Sequence, residues 1–377
     1  MKSMKKVLSL LLCAALLLGC GLVPALAEDV TPTDAVTPTD AQPDTPAAQP
    51  LAQCTFSFLN YNVAGLPSLN ASSEKAARQN LLGQKVGADG YDIVAVQEDF
   101  GYDGDFSAGL NMPYRTYGPQ SVAFSDGLNV FSRTPLYNVA REGWNKKGGM
   151  LWEGDIVSQK GVMLAVVELA PGVYVDVYNL HADAYGGQES VEARYDNFRQ
   201  TMNFINAHSK DRPVIVTGDF NEAFHFGAEG KYFYNVFVEQ LGFADVWAEL
   251  ANGGSYTDFS AWSGDYWGRW DSVECILYRS SDTVTLTPTS HRYIHYTDDA
   301  GNAISDHNAA AATFTYAASA LASAEGLNAA KEEQPDVIRM VKIVFEDLRY
   351  IFSHFDEVTI LLKYMNDMEY LYTHYSR

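Results

Sequence analysis

The sequence predicts a layered α/β or α+β domain, and three observations lead there. Short apolar runs recur from Cys54 to about Tyr316, few helical patterns fall between them, and the 377 residues are 47% hydrophobic and 13% aromatic. Many strands with few intervening helices bury their apolar faces best as stacked layers. The length fits one large domain with attachments or two of ordinary size. The aromatic content excludes a disordered chain.

Residues 1–27 read as an export signal. Lys2, Lys5 and Lys6 precede an apolar run from Val7 to Leu18, and Ala25-Leu26-Ala27 offers a small-residue cleavage site. Leu17-Leu18-Gly19-Cys20 resembles a lipobox, so a lipoprotein anchor at Cys20 is the minority alternative to free secretion. Gly21-Leu22-Val23 follow it where polar residues are usual. The run is too short for a membrane span, which takes about 20 apolar residues. Residues 28–53 read as a Pro/Thr/Asp-rich linker, in which Val-Thr-Pro-Thr-Asp-Ala at 30–35 repeats at 36–41. Repeated proline keeps such a tract extended and unpacked.

The body, residues 54–316, opens on an expected strand at 56–62 that runs into a loop at Gly65-Leu66-Pro67. A helix is expected over 72–85, capped by Ser72 or Ser73. Strands are expected at 92–97, 128–131, 162–169 and 173–180, a helix at 190–207, and strands at 213–217, 274–278 and 309–314. Cys54 and Cys275 are the only cysteines outside the signal, and they read as one disulfide or as two buried thiols. Beyond the body, over 317–377, an Ala/Ser-rich stretch gives way to Val337, Val341, Phe345, Leu348, Phe352 and Phe355 at helical spacing. That pattern predicts a helical C-terminal extension. Its polar face lacks the basic stripe of a membrane-surface helix.

Asn62, Glu98, His181, Asp219, Asn221, Asp306 and His307 all lie at or just beyond the end of an apolar run. One such residue would be a turn cap or a buried histidine. Together, acids, amides and imidazoles at strand ends are how a layered fold assembles a site at one sheet edge.

These residues carry a resemblance. Tyr61-Asn62-Val-Ala-Gly-Leu-Pro67, Gln97-Glu98-Asp99, Asn179-Leu-His181-Ala-Asp183, Gly218-Asp219-Phe-Asn221 and Ser305-Asp306-His307 resemble the endonuclease/exonuclease/phosphatase superfamily over roughly residues 55–315. The likeness implies a DNase I-like four-layer sandwich, two packed β-sheets flanked by helices, and a Mg²⁺-dependent phosphoester hydrolase, with Mn²⁺ or Ca²⁺ as alternative ions. Oxygen ligands suit such a cation, and one or two carboxylates suffice because it keeps several waters. By resemblance Glu98 is the principal metal ligand, with Asn62 beside it and Asp306 completing the metal or phosphate shell. Asp219 and Asn221 orient the attacking water and the phosphate. His307 is the general base, and His181 binds the phosphate or protonates the leaving group. Members of this superfamily usually place an Asp before the last strand to orient the final His. Here alignment on Ile276-Leu-Tyr-Arg279 favours Glu274 for that part, and residue type favours Asp271.

The substrate is bounded by charge and by one loop. A net charge of −21 disfavours a long polyanion such as duplex DNA, whose binding needs a basic face. Trp262, Trp267 and Trp270 crowd the segment before the last site strand, and Trp267 and Trp270 are candidate substrate contacts at a lipid interface or a choline-type cation. Asp126-Gly-Leu-Asn129 fits a substrate-side turn that offers Asn129. The expected function is a secreted phosphodiesterase or phosphatase on lipid or small phosphoesters, similar to a sphingomyelinase. A secreted nuclease and a non-catalytic surface-binding module are the alternatives. Cell-surface or membrane-interface association follows from the leader and the Trp-rich loop.

Overall fold

The computed structural model describes residues 54–66, 72–118, 125–148, 158–222, 227–256 and 273–331. The leader, the linker, the Trp-rich loop with Trp267, Trp270 and Asp271, and the expected C-terminal helices all lie outside the described residues.

Twelve strands are described. β1 (Cys54–Asn62), β2 (Ile93–Gln97), β3 (Tyr114–Arg115), β4 (Asn129–Ser132), β11 (Val284–Ile294) and β12 (Ala309–Ala318) form one sheet in the order β11-β12-β1-β2-β4-β3. β5 (Leu136–Gly143), β6 (Gly161–Ala170), β7 (Val173–His181), β8 (Val214–Asp219), β9 (Ala244–Asp245) and β10 (Glu274–Arg279) form the other, ordered β5-β6-β7-β8-β10-β9. The helices are α1 (Ser72–Asp89), α2 (Asp103–Leu110), α3 (Gln188–His208), α4 (Gly227–Tyr234), which continues into a π-helical turn at Asn235–Gln240, and α5 (Val246–Ala251).

Packing sorts these elements into four layers. Side chains of alternating parity from β1, β2, β6, β7, β8, β10 and β12, among them Phe58, Ala95, Met163, Val177, Ile215, Ile276 and Phe314, meet between the sheets. Leu59, Tyr61, Val94 and Val96 point the other way, onto Leu82 and Val86 of α1 and Phe106 and Leu110 of α2. Tyr178, Leu180, Val214 and Val216 pack outward on Phe198 and Ile205 of α3 and on Phe233 and Phe237. Strands apolar on both faces are what a sheet covered by helices on one side and a second sheet on the other requires. Each buried Leu, Ile, Val or Phe adds about 1.5–3 kcal/mol.

Two parallel pairs aim their ends one way. β1 runs parallel to β2 with Asn62 opposite Gln97, and β7 runs parallel to β8 with His181 opposite Asp219. β10 is antiparallel to β8, so its first residue, Glu274, lies opposite Asp219. β12 is antiparallel to β1, which brings the turn before it, with His307, to the end of β1. Gly218 (φ +150°) permits a tight β7–β8 crossing, since a Cβ there would strike the Leu180 carbonyl.

Two expectations change. Cys54 is exposed at the start of β1 and Cys275 is buried in β10 of the other sheet, so the two form no disulfide and only one thiol is buried. β12 continues to Ala318, past the boundary expected at 316, and the chain then crosses to the open edge of β5, where Ala330 N donates to the Leu136 carbonyl and Asn138 N to that of Asn328.

Candidate active site

The strand ends converge into two tiers. Glu98, Asn221 and His307 are partly exposed and Asp306 is exposed, so these four line the mouth. Asn62, His181, Asp219 and Glu274 lie beneath, each at most 1% exposed.

Backbone geometry sets the mouth. Glu98 follows β2 in a left-handed conformation (φ +56°), an uncommon one for a glutamate. The loop after β1 lies against it, and Gly65 is required there because a Cβ would strike the Glu98 carbonyl. Asn221 is also left-handed (φ +50°), with its N–H donating to Asp219 Oδ1 at 2.9 Å and its Nδ2 to the Ala182 carbonyl at 3.0 Å. Ser305 fixes the last turn: its hydroxyl donates to the Asn62 carbonyl at 2.7 Å and accepts from His307 N at 3.1 Å.

Asn62 is the hub of the lower tier. Its Oδ1 accepts from Ala64 N at 3.0 Å, while Nδ2 donates to Asp219 Oδ2 at 2.9 Å and Glu98 Oε1 at 3.1 Å. The residue expected to offer a cation its oxygen therefore turns its nitrogen to the acids and ties two of them together. His307 Nδ1 lies 2.6 Å from Glu274 Oε1, so Glu274 is the carboxylate that meets this ring. Asp271, the rival for that contact, lies outside the described residues. His181 Nε2 lies 3.4 Å from Asp219 Oδ2, and Trp144 Nε1 holds the His181 carbonyl at 2.7 Å.

Charge states follow from these contacts. Burial holds His181 well below the usual imidazole value, and the Lys160 charge adds to this, so the ring is neutral. For Asp219, burial opposes ionisation, but His181, His307, Lys160 and the Asn62 hydrogen bond outweigh it and keep the carboxylate low. Burial pushes Glu98 up against the pull of Lys160 and Asn62. Burial would depress His307 too, yet the Glu274 hydrogen bond and charge, with Asp219 and Asp306, raise it to about 10. In the cation-free site His307 is an imidazolium, whereas the resemblance implies a base. A cation among these acids opposes that charge and lowers the value again.

Asn129 does not reach the site. Its Nδ2 donates to Asp99 Oδ2 at 2.8 Å, its Oδ1 accepts from Thr116 at 3.2 Å, and it is 1% exposed. The turn expected to contact substrate instead packs behind Glu98, where Asp99 N donates to the Gly127 carbonyl. Two cations escape the strand-end pattern. Lys160, 8% exposed, sits just before β6, and Lys75 on α1 donates to the Leu66 carbonyl at 2.7 Å. β6 is antiparallel to β7, so the start of β6 shares the site edge. Lys160 precedes a strand rather than ending one, which is why the strand-end pattern omits it.

Among the groups that hold protons more tightly here than in an unfolded chain, three are raised into the range from about 7 to about 10. Asp99 is pushed up to about 7 by burial with the Asp103 charge, Glu222 to about 8 by burial and its hydrogen bond with Glu229, and His307 to about 10. A raised folded value gives stability that is full below the unfolded value and lost as pH rises through the folded one. His181 has the opposite sign, but its contribution is lost only as pH falls below about 6.5. The cation-free protein is therefore expected to lose stability from about pH 6.5 to 10. Urea midpoints in EDTA across that range check this, and a midpoint that holds or rises contradicts it.

No family model matches the chain. It is 30% identical over 274 residues to proteins named sphingomyelinase from Mycobacterium bovis and Mycobacterium tuberculosis, an alignment covering 70% of this chain and 53% of theirs. The chain thus spans about half the length of the curated relatives it matches. The crystal structure of D. rerio TDP2 complexed with a single-strand DNA product superposes with a TM-score of 0.51 at 20% identity, over 69% of this chain and 98% of that one. Humanized D. rerio TDP2 gives 0.50 at 19% identity, with the same coverage. The mycobacterial relatives and the structural neighbours together indicate the endonuclease/exonuclease/phosphatase superfamily. The chain's two mixed sheets with flanking helices are that superfamily's DNase I-like sandwich.

Proposed function

We propose that this chain is an exported, divalent-cation-dependent phosphodiesterase that cleaves sphingomyelin-type phosphoesters and releases phosphocholine. The convergence of Glu98, Asp219, Asn221, Asp306, His181 and the Glu274–His307 pair at one sheet edge carries the reaction class. The 30% identity with the mycobacterial sphingomyelinases supports the substrate. Export is supported by the leader pattern of residues 1–27.

The donor set fits a hard cation. Glu98, Asp219 and Asp306 offer carboxylate oxygens, the type Mg²⁺ favours. Ligand atoms of Asp219, Glu274 and His307 also lie within 4.8 Å of one another, but the short His307–Glu274 contact already occupies that pair. The cation is accordingly assigned to the Glu98 side, with Asp306 at the mouth. When bound it neutralises phosphate oxygens and withdraws charge from the phosphorus.

The chain's own residues do the rest. Glu274 fixes the ring of His307, so that Nε2, once unprotonated, takes a proton from the attacking water. Asp219, held by Asn62 and the Asn221 N–H, orients that water. Asn221 at the mouth steadies a phosphate oxygen, and neutral His181 keeps Asp219 in place from behind. The ester P–O bond breaks with its electrons on the departing oxygen, which takes a proton at the solvent-open mouth.

Incubation with sphingomyelin vesicles and Mg²⁺ is expected to release phosphocholine, and EDTA to stop it. Nicking of supercoiled plasmid without phosphocholine release would replace this reading with a nuclease. Failure to cleave either would overturn the enzyme.

A further inference from the structure

Directly under the lower tier lies a set of buried amides that the proposed reaction does not use. Asn60, Gln97 and Asn179, on β1, β2 and β7, are all fully buried, and their hydrogen bonds form one network. Gln97 Nε2 donates to Asn60 Oδ1 at 2.8 Å and to Asn179 Oδ1 at 2.7 Å. Asn60 Nδ2 donates to the Gly218 carbonyl at 2.9 Å. Asn179 Nδ2 donates to the carbonyls of Val96 and Asn129 at 2.8 and 3.1 Å.

Chemistry dictates how the three amides face. Backbone carbonyls only accept, so both asparagine nitrogens turn to them and both oxygens turn to Gln97. Its nitrogen must therefore lie between those oxygens. Gln97 Oε1, in contrast, has no hydrogen-bond partner. A buried amide that leaves one end unsatisfied is costly, and here the nitrogen alone explains its presence.

The network bridges the sheets. Asn60 and Gln97 belong to one sheet, and Asn179 and the Gly218 carbonyl to the other. Each lies one or two residues from a group of the site: Gln97 precedes Glu98, Gly218 precedes Asp219, Asn60 is two before Asn62, and Asn179 is two before His181. Apolar contact between sheets is non-directional and tolerates sliding. Amides in a dry interior do not, because any slide strands a donor or an acceptor.

We propose that Gln97 is a positioning residue that sets the separation between Glu98 on one sheet and Asp219 on the other. The inference rests on the reading of this edge as a cation-dependent phosphodiesterase site. Glu98 needs such support because its left-handed backbone is not self-maintaining. Gln97 holds it from beneath while the Asp99–Asn129 contact holds it from behind.

Gln97→Met keeps the length and volume and removes the donor. Mg²⁺ titrated calorimetrically into this folded variant without substrate is expected to bind about tenfold more weakly than to the parent, the usual cost of losing a group that orients a metal ligand. In phosphocholine release kcat should fall about tenfold, with KM changed little. Asn60→Ser, which removes the link to Gly218 and one of the two acceptors of Gln97 but leaves the Gln97–Asn179 bond, should do the same to a smaller extent, and serves if Gln97→Met does not fold. Circular dichroism and the melting midpoint establish folding in each case. A folded variant of either kind whose Mg²⁺ affinity and kcat both stay within about twofold of the parent overturns the proposal. A parent that binds no Mg²⁺ and cleaves no phosphoester overturns instead the function on which it rests.

Discussion

Replacing His307 by alanine is expected to lower kcat by about 10³-fold while the chain stays folded. His307 is the imidazole at the mouth, its side chain 22% exposed, whereas His181 beneath it is 1% exposed. A positioned general base contributes about 10²–10⁴-fold, and the 2.6 Å contact to Glu274 is what positions this one. Glu274→Gln should cost less, because the amide still orients the ring although it no longer carries charge. Phosphocholine release at saturating substrate, with circular dichroism as the folding control, gives the comparison. A His307→Ala enzyme within tenfold of the parent would remove this residue from the chemistry.

Glu98→Gln is expected to separate function from stability. The substitution removes the carboxylate to which the cation is assigned, so Mg²⁺ affinity should fall at least 10–100-fold and turnover with it. Stability should hold or rise. Burial disfavours the Glu98 carboxylate, and a neutral isostere at such a position relieves that cost. Calorimetric titration of Mg²⁺ and thermal melts in EDTA measure both sides. A variant that unfolds, or that binds Mg²⁺ like the parent, contradicts the assignment of the cation to Glu98.

Strands flanked by strands were legible from sequence; strands at edges were not. β1, β2, β6, β7, β8 and β10 are continuous apolar runs because each is covered on both faces, and they stand within a residue or two of the expected positions. β11 escaped because its alternation is interrupted at Pro288, where the register with β12 shifts. β5 escaped because a second irregularity falls at Asn138, left-handed at φ +45°. Edge strands carry such breaks because they lack a second partner to enforce regular pairing. Of the candidate site residues, Asn62, Glu98, His181, Asp219 and Asn221 stand at or just past strand ends, and Asp306 and His307 in the turn before β12. Glu274 was harder to read, since it begins a strand, and Lys160 harder still, since a lone lysine before an apolar run has no signature. Asn129 was misread because an amide beside a turn reads alike whether it meets a substrate or a buried acid.

The pairing of β1 with β12 joins residues 54–60 to residues 310–316, and β1 is an interior strand of its sheet. A chain emerging from the ribosome therefore cannot complete that sheet, or bring His307 to Asn62, until some 250 later residues have been synthesised. Contacts so distant in sequence close slowly. The delay keeps the nascent polypeptide unfolded and threadable until its last paired strand emerges. It also makes the folded domain an all-or-nothing product: a chain cut short within β12 lacks the neighbour of β1, and leaves that interior edge open.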